Sequence, residues 1–233
     1  MIPSIDFIKE EELCNKLVVI IDVLRATSVI TTALNNGAKA VIAKIEVEEA
    51  LALKNEMSLL CGERKALKIE GFDLTNSPLD YKREIVEDKI IILTTTNGTK
   101  TIHRSLCAHK IIIGCMLNGK AVASYITKQN KDVVIVCAGT YGKFSLDDYI
   151  CAGKIIYDVI KKSSIDLDDF AATAYMSYRD NKEAVIAFVS MASHYKYLIS
   201  IGLQDDVKYC FTEDITHIVP HAKAIDGEIV ITV

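Results

Sequence analysis

The sequence predicts an α/β fold: a three-layer α/β/α sandwich whose sheet is mostly parallel, with antiparallel strands contributed by the C-terminal end. Three observations predict it. Short apolar, β-branched runs recur along the chain, and segments of helical period separate them. The runs are apolar throughout instead of alternating, as strands covered on both faces are. Half of the 233 residues are hydrophobic, enough for one large core or two smaller ones.

Taken in order, "KLVVIID" (16–22) reads as a buried strand, followed by a helix in "TSVITTALNNG" with Gly37 as its stop. "AKAVIAK" (38–44) is a second strand, "VEEALALKNE" a second helix and "MSLLCG" (57–62) a short third strand. Three more strands follow in "KIIILTT" (89–95), "KIIIGC" (110–115) and "DVVIVCAG" (132–139), with helices over 99–108 and 118–129 between them. A longer helix runs from 146 to about 162, where Leu146, Tyr149, Ile150, Gly153, Ile156, Tyr157 and Ile160 share one face. The stretch 163–206 is mostly helical, with polar breaks near 163–169 and 177–181. "THIVPHAKAIDGEIVITV" then reads as two strands about the turn Asp226-Gly227, expected to pair antiparallel near one edge of the sheet. No low-complexity linker or internal repeat divides the chain. One domain over 1–233 is expected, with a small C-terminal lobe at about 163–233 as the one subdivision compatible with the pattern.

Composition removes several function classes. Lys and Arg total 27 against 31 Asp and Glu, a net charge of −4, and the basic residues are scattered. A nucleic-acid partner would need a basic stripe. No signal peptide opens the sequence, and no apolar run approaches the ~18 residues of a membrane span. The seven cysteines are odd in number and contain no C-x-x-C. Cys61, Cys115 and Cys137 end apolar runs as small hydrophobes do. A reduced, cytoplasmic, enzyme-sized protein is expected, and a homo-oligomer is compatible with these features.

Ligands of such sheets sit at the carboxyl ends of the strands, so the residues delivered there are the candidates. The first strand ends in "IDVLRAT", with Asp22, Arg25 and Thr27. The third ends in "CGERK", with Glu63 and Arg64, and leads into the polar loop "GFDLTNSP" with Asn76 and Ser77. The next ends in "LTTTNGTKTI" (93–102), and the last two in "GCMLNGKA", with Asn118, and "CAGTYGKFSLDD", with Gly139, Asp147 and Asp148.

"LTTTNGTKTI" breaks a strand, turns through Asn97-Gly98 and enters a helix. Such a junction presents backbone N–H groups and hydroxyls to an anion. Thr and Asn are also ordinary N-caps, but one cap residue suffices for that, and five threonines favour an anion cradle. The guanidiniums of Arg25 and Arg64 match phosphate or sulfonate oxygens, or else pair with Glu63 or Asp22. Asp22, Glu63, Asp147 and Asp148 are candidate oxygen ligands for a hard cation such as magnesium. Asp148 has a plainer reading as the third residue of a capping box begun at Ser145. Asp22 has less excuse, because a carboxylate ending a buried strand is costly without a partner.

Sharper motifs fail. Gly139, Gly142 and Lys143 lack the spacing and hydroxyl of a P-loop, and no G-x-G-x-x-G follows a strand. Cys137 is followed six residues on by Lys143, where a cysteine phosphatase would carry arginine. Leu24 stands where a haloacid-dehalogenase-type phosphatase would carry a second aspartate. His217 and His221, four apart around Pro220, read as strand-end residues.

Together, "DVLRATSVITTALNNGA", "CGERKALKIEGFDLTNSP", "LTTTNGTKTI" and "CAGTYGKFSLDDYICAG" resemble, in this order, the 2-phosphosulfolactate phosphatases. The resemblance covers about residues 18–155 and continues more weakly beyond. It implies a magnesium-dependent hydrolase that converts 2-phospho-3-sulfolactate to sulfolactate and phosphate, a step toward coenzyme M. It would place Asp22, Arg25, Thr27, Glu63, Arg64, Asn76, Ser77, Thr95, Thr96, Asn97, Gly98, Thr99 and Asp148 in the site, with Mg2+ on Asp22, Asp148 and Glu63. Asn118 joins them as a strand-end candidate for substrate binding. Lys65 and Ala66 stand where family members often carry a glycine. The partner implied is a small phosphorylated, sulfonated acid. Two alternatives remain open at this level: a phosphatase for another small phosphorylated acid, and a non-catalytic module that binds a phosphorylated metabolite.

Overall fold

The computed structural model describes residues 1–233 and is an α/β structure built on one nine-stranded mixed sheet flanked by helices. The strands are β1 (Leu17–Ile21), β2 (Ala40–Lys44), β3 (Ser58–Arg64), β4 (Leu67–Lys68), β5 (Ile90–Thr94), β6 (Lys110–Gly114), β7 (Val133–Cys137), β8 (His221–Ile225) and β9 (Glu228–Thr232). Their order across the sheet is β4-β3-β5-β2-β9-β8-β6-β1-β7.

β1 shows why these runs are apolar at every position. Its alternate residues point to opposite faces, and all five are buried. Leu17, Val19 and Ile21 enter a core shared with Ile150, Ile155 and Val159 of helix Leu146–Ile160. Val18 and Ile20 enter a second core, on the other face, with Val29, Ile30 and Ala33 of helix Ala26–Asn35. Helices Asp169–Asn181, Val185–Val189, Ser193–Ser200 and Gln204–Cys210 occupy the stretch expected to be helical.

One expectation is overturned. The C-terminal hairpin does form about Asp226-Gly227, but it lies in the middle of the sheet and not near an edge. β9 pairs antiparallel with β2 and β8 antiparallel with β6, so the hairpin joins a parallel block β3-β5-β2 to a parallel block β6-β1-β7. Three antiparallel steps make the two blocks run in opposite senses where they meet. Their carboxyl ends nevertheless converge. A Cβ at Gly98, after β5, would stand 2.7 Å from Asp22 Oδ2, after β1. The helices that leave the two strands pack on one face of the sheet, Ile102 of helix Gly98–His103 sharing a core with Val29 and Ile30 of helix Ala26–Asn35.

Of the two histidines read as strand-end residues, His221 opens β8 and packs edge-on against Tyr125, while His217 lies in the loop before it.

Candidate active site

Where the two blocks converge lies a small cavity of about 50 Å³. The β1–β7 side contributes Asp22, Leu24 and Arg25, together with Gly139, Thr140, Tyr141, Asp147 and Asp148. The β3–β5 side contributes Glu63, Lys65, Ala66, Asn76, Thr96 and Asn97, and His194, Tyr197 and Leu198 of helix Ser193–Ser200 close it.

Asp22 follows β1 directly and is buried. Its Oδ1 accepts from Ala26 N at 3.3 Å, in the first turn of the next helix. No protein hydrogen bond reaches Oδ2, which Gly98 alone is small enough to adjoin; a Cβ there would also strike Ala26 at 2.5 Å. Burial is the main reason that the Asp22 pKa rises from 3.8 to about 6, with Glu63 and Asp147 adding repulsion and His194 opposing it.

Asp148 is not the capping-box residue of its helix. Its two oxygens accept from Val23 N at 2.8 Å and Gly139 N at 2.9 Å, tying the loop after β1 to the loop after β7. Burial, then the charges of Asp147 and Asp22, hold its pKa well above the carboxylate range. Asp147 behaves oppositely. Burial pushes its pKa up, but the hydrogen bond and charge of His194, with Ser145 Oγ on its other oxygen, bring it below the usual value. His194 Nδ1 stands 3.1 Å from Asp147 Oδ2 and 3.4 Å from Thr140 Oγ1. Burial lowers the His194 pKa, yet the Asp147 bond and the charges of Asp147 and Asp22 outweigh it and raise the net value.

Glu63 bridges two loops. Oε2 accepts from Ala66 N at 2.8 Å, and Oε1 accepts from Thr96 N at 2.7 Å and Thr96 Oγ1 at 2.9 Å. Lys65 and Ala66 form the two-residue turn between β3 and β4, with Arg64 opposite Leu67. Both have positive φ, 53° and 61°, the backbone that glycine adopts without strain. The turn is held from outside: Tyr197 Oη donates to Lys65 O at 2.9 Å and Arg25 Nη2 to Ala66 O at 3.1 Å. Arg25 also pairs with Asp206, whose other oxygen accepts from Ser77 Oγ at 2.7 Å. Asn76 is buried, and its Oδ1 has no hydrogen-bond partner.

Of the residues singled out from sequence, Asp22, Arg25, Glu63, Asn76, Thr96, Asn97, Gly139, Asp147 and Asp148 line the cavity. The others do not. Arg64 turns away, its guanidinium donating to the Glu63 and Ile45 carbonyls and to Thr94 Oγ1. Thr27 Oγ1 caps Asp22 N, and Ser77 serves Asp206. Asn118 is wholly buried, braced by Cys115 N, Ile113 O and Ile218 O. The threonine run is mostly self-satisfied. Thr95 Oγ1 accepts from Thr99 N at 3.1 Å, and Thr99 Oγ1 donates to Thr95 O at 3.0 Å. With Thr96 N and Oγ1 both given to Glu63, the run works as a cap and a brace and not as an open anion cradle. Gly98 is there for Asp22.

Sequence reasoning missed His194 and Asp206, which lie on C-terminal helices with no flanking motif, and passed over Lys65 and Tyr197 as ligand neighbours. It noted Asp147 as a strand-end carboxylate without seeing its histidine.

The donor chemistry suits a hard cation: the carboxylates are in excess of the cations around them, and their oxygens raise one another's proton affinity. No group of three or more acidic, histidine or cysteine side chains is arranged to hold a metal alone. An ion here would therefore take one or two carboxylates and complete its shell from water and phosphate, as magnesium usually does. No helix is long and apolar enough to cross a membrane.

A family model described as 2-phosphosulpholactate phosphatase matches residues 3–224. Among curated relatives, a protein of Clostridium acetobutylicum is 51% identical over 98% of this chain and 98% of its own. One of Clostridium kluyveri is 50% identical over 97% and 95%, and one of Clostridium novyi 48% identical over 94% of each. Each of these relatives bears the name "Probable 2-phosphosulfolactate phosphatase".

Proposed function

We propose, from the premise that the chain belongs to the 2-phosphosulpholactate phosphatase family, that it is a phosphoric monoester hydrolase acting on 2-phospho-3-sulfolactate and releasing 3-sulfolactate and phosphate. The observation that carries the reading is the cavity where the two blocks of the sheet meet, walled by Asp22, Glu63 and Asp148, with Arg25 and an unpartnered Asn76 Oδ1 beside them.

Hydrolysis forms a bond from water oxygen to phosphorus while the bond from phosphorus to the substrate's C2 oxygen breaks. Phosphoryl transfer needs positioning and charge neutralisation more than covalent help. Magnesium is the cofactor we propose, held by Asp22 with its uncommitted Oδ2; Asp148 and Glu63 have both oxygens engaged and would contribute remaining lone pairs. Such an ion supplies polarisation of a phosphoryl oxygen and neutralises the excess of carboxylate charge. Arg25, fixed by Asp206, and Lys65 at the mouth present the cationic groups for the acid's phosphate, carboxylate or sulfonate. A cytoplasmic location and a place in a coenzyme M route belong to the same proposal; seven free cysteines support the first, and the substrate's chemistry the second.

The test is phosphate release from 2-phosphosulfolactate, 2-phospholactate and 4-nitrophenyl phosphate, each with magnesium and with chelator. Chelator-sensitive release from the sulfonated substrate alone supports the full reading. Release from all three keeps the phosphatase and removes the sulfonate specificity. Binding without release would make the chain a sensor of phosphorylated metabolites. Asp22→Asn should abolish most turnover, and near-normal turnover would remove Asp22 from the chemistry.

A further inference from the structure

The phosphatase reading leaves one chemical demand unassigned: the substrate's C2 oxygen leaves as an alkoxide and needs a proton. We infer that His194 supplies it, as the general acid of the reaction, with Asp147 as its positioning residue.

The geometry comes from four side chains. Asp147 Oδ2 takes the Nδ1–H of His194 at 3.1 Å, and Thr140 Oγ1 stands 3.4 Å from the same nitrogen. Ser145 Oγ lies 3.0 Å from Thr140 Oγ1 and donates to the other oxygen of Asp147. The ring formed by these groups fixes the imidazole plane and commits Nδ1, leaving Nε2 without a protein partner on a residue that lines the cavity. A histidine oriented by a buried carboxylate is a standard way to present one ring nitrogen for proton transfer.

The surroundings favour the protonated ring. The Asp147 carboxylate, 3.1 Å from Nδ1, stabilises the positive charge of the protonated ring, and the Arg25 charge opposes it. In the step, the electron pair of the breaking P–O bond goes to the C2 oxygen, the Nε2 proton moves onto that oxygen, and the ring is left neutral. The attacking water loses a proton in the same turnover, so the ring is recharged from solvent with no net change.

The inference rests on the phosphatase reading, and leaving-group dependence separates the two. An alkyl phosphate such as 2-phosphosulfolactate needs a proton on its leaving oxygen; nitrophenolate leaves 4-nitrophenyl phosphate without one. His194→Gln should lower kcat on the alkyl substrate by about 100-fold or more and on the aryl substrate by less than about 5-fold, the range general acids command. Asp147→Asn, which keeps the ring and loosens its orientation, should show the same selectivity with a smaller loss. A purely structural role would depress both substrates together, and equal losses in variants that melt like wild type would overturn the inference while leaving the phosphatase intact. Should His194→Gln fail to fold, the selectivity of Asp147→Asn decides the matter by the same criterion. Wild-type protein inert on every phosphate ester would sink the reading and the inference together.

Discussion

At the start of helix Leu146–Ile160, Asp147 and Asp148 stand with Asp22 on one side of the cavity and Glu63 stands on the other, and His194 is the one basic side chain bonded to any of them. Less than two turns on, the same helix carries Lys154, which is almost wholly buried and surrounded on every side. Its Nζ donates to Asp158 Oδ2 at 2.7 Å and to Asp214 Oδ1 and Oδ2 at 2.6 and 2.7 Å. Asp214 also accepts from Lys120 N at 2.7 Å. Even the neighbouring backbone yields to this lysine: a Cβ at Gly119 would stand 2.7 Å from its Cδ. Both clusters bury charge, but only one satisfies it. The Lys154 cluster pins the loop after helix Gln204–Cys210 to the body of the protein. The Asp22 cluster keeps carboxylates that repel one another, a residual field that a cation or a substrate would relieve. Unbalanced charge in a cavity points to chemistry, and balanced charge in a core points to architecture.

The strongest way to sharpen that contrast is Lys154→Met. It strands Asp158 and Asp214 and should lower unfolding free energy by about 3–5 kcal/mol, read by urea titration, with KM for the substrate unchanged. A loss below about 1 kcal/mol would mean that the cluster is not the anchor described. Asp22→Asn should act in the opposite direction on stability. Asp22 holds its proton to about pH 6 in the fold against an ordinary 3.8, so folding takes up a proton between those values, and stability falls as pH rises through them. The asparagine variant should therefore exceed wild type by up to ~3 kcal/mol near pH 8 and match it at about pH 3.5. A variant less stable than wild type near pH 8 would break the comparison. The smallest effect belongs to Ala66→Gly, which relieves a left-handed residue in the turn beside Glu63. Stability should rise by no more than about 1 kcal/mol, seen as a melting temperature higher by a few degrees.

Much of the fold was legible because burial on both faces writes itself into a strand. β1, β2, β5, β6 and β7 all lie within the apolar runs assigned to them. The placement of β8 and β9 was not legible, because Val41 pairs with Ile231 across most of the chain, and nothing local records such a partner. In the site, residue type drew attention to Asp22, Glu63, Asp148, Arg25 and Asn76, all of which line the cavity, since charge and amide at strand ends are expensive unless used. It could not tell which way a loop residue faces. Arg64 follows Glu63 directly and turns to Ile45 O, while the threonines near Gly98 bond one another. His194 left no trace, because a lone histidine on a helix acquires its role only when Asp147 is brought beside it.

The seam between the two parallel blocks bears on how the molecule is made. β1 through β7 leave the ribosome before β8 and β9, yet β2 and β6 share no ladder until the hairpin lies between them. Until then each exposes an unpaired strand edge, the kind of surface on which nascent chains stick to one another. The same docking brings Asp22 and Glu63, which belong to different blocks, to opposite walls of one cavity. The covering of those two strand edges and the assembly of the cavity thus depend on one and the same hairpin, a stretch of chain that lines none of the cavity.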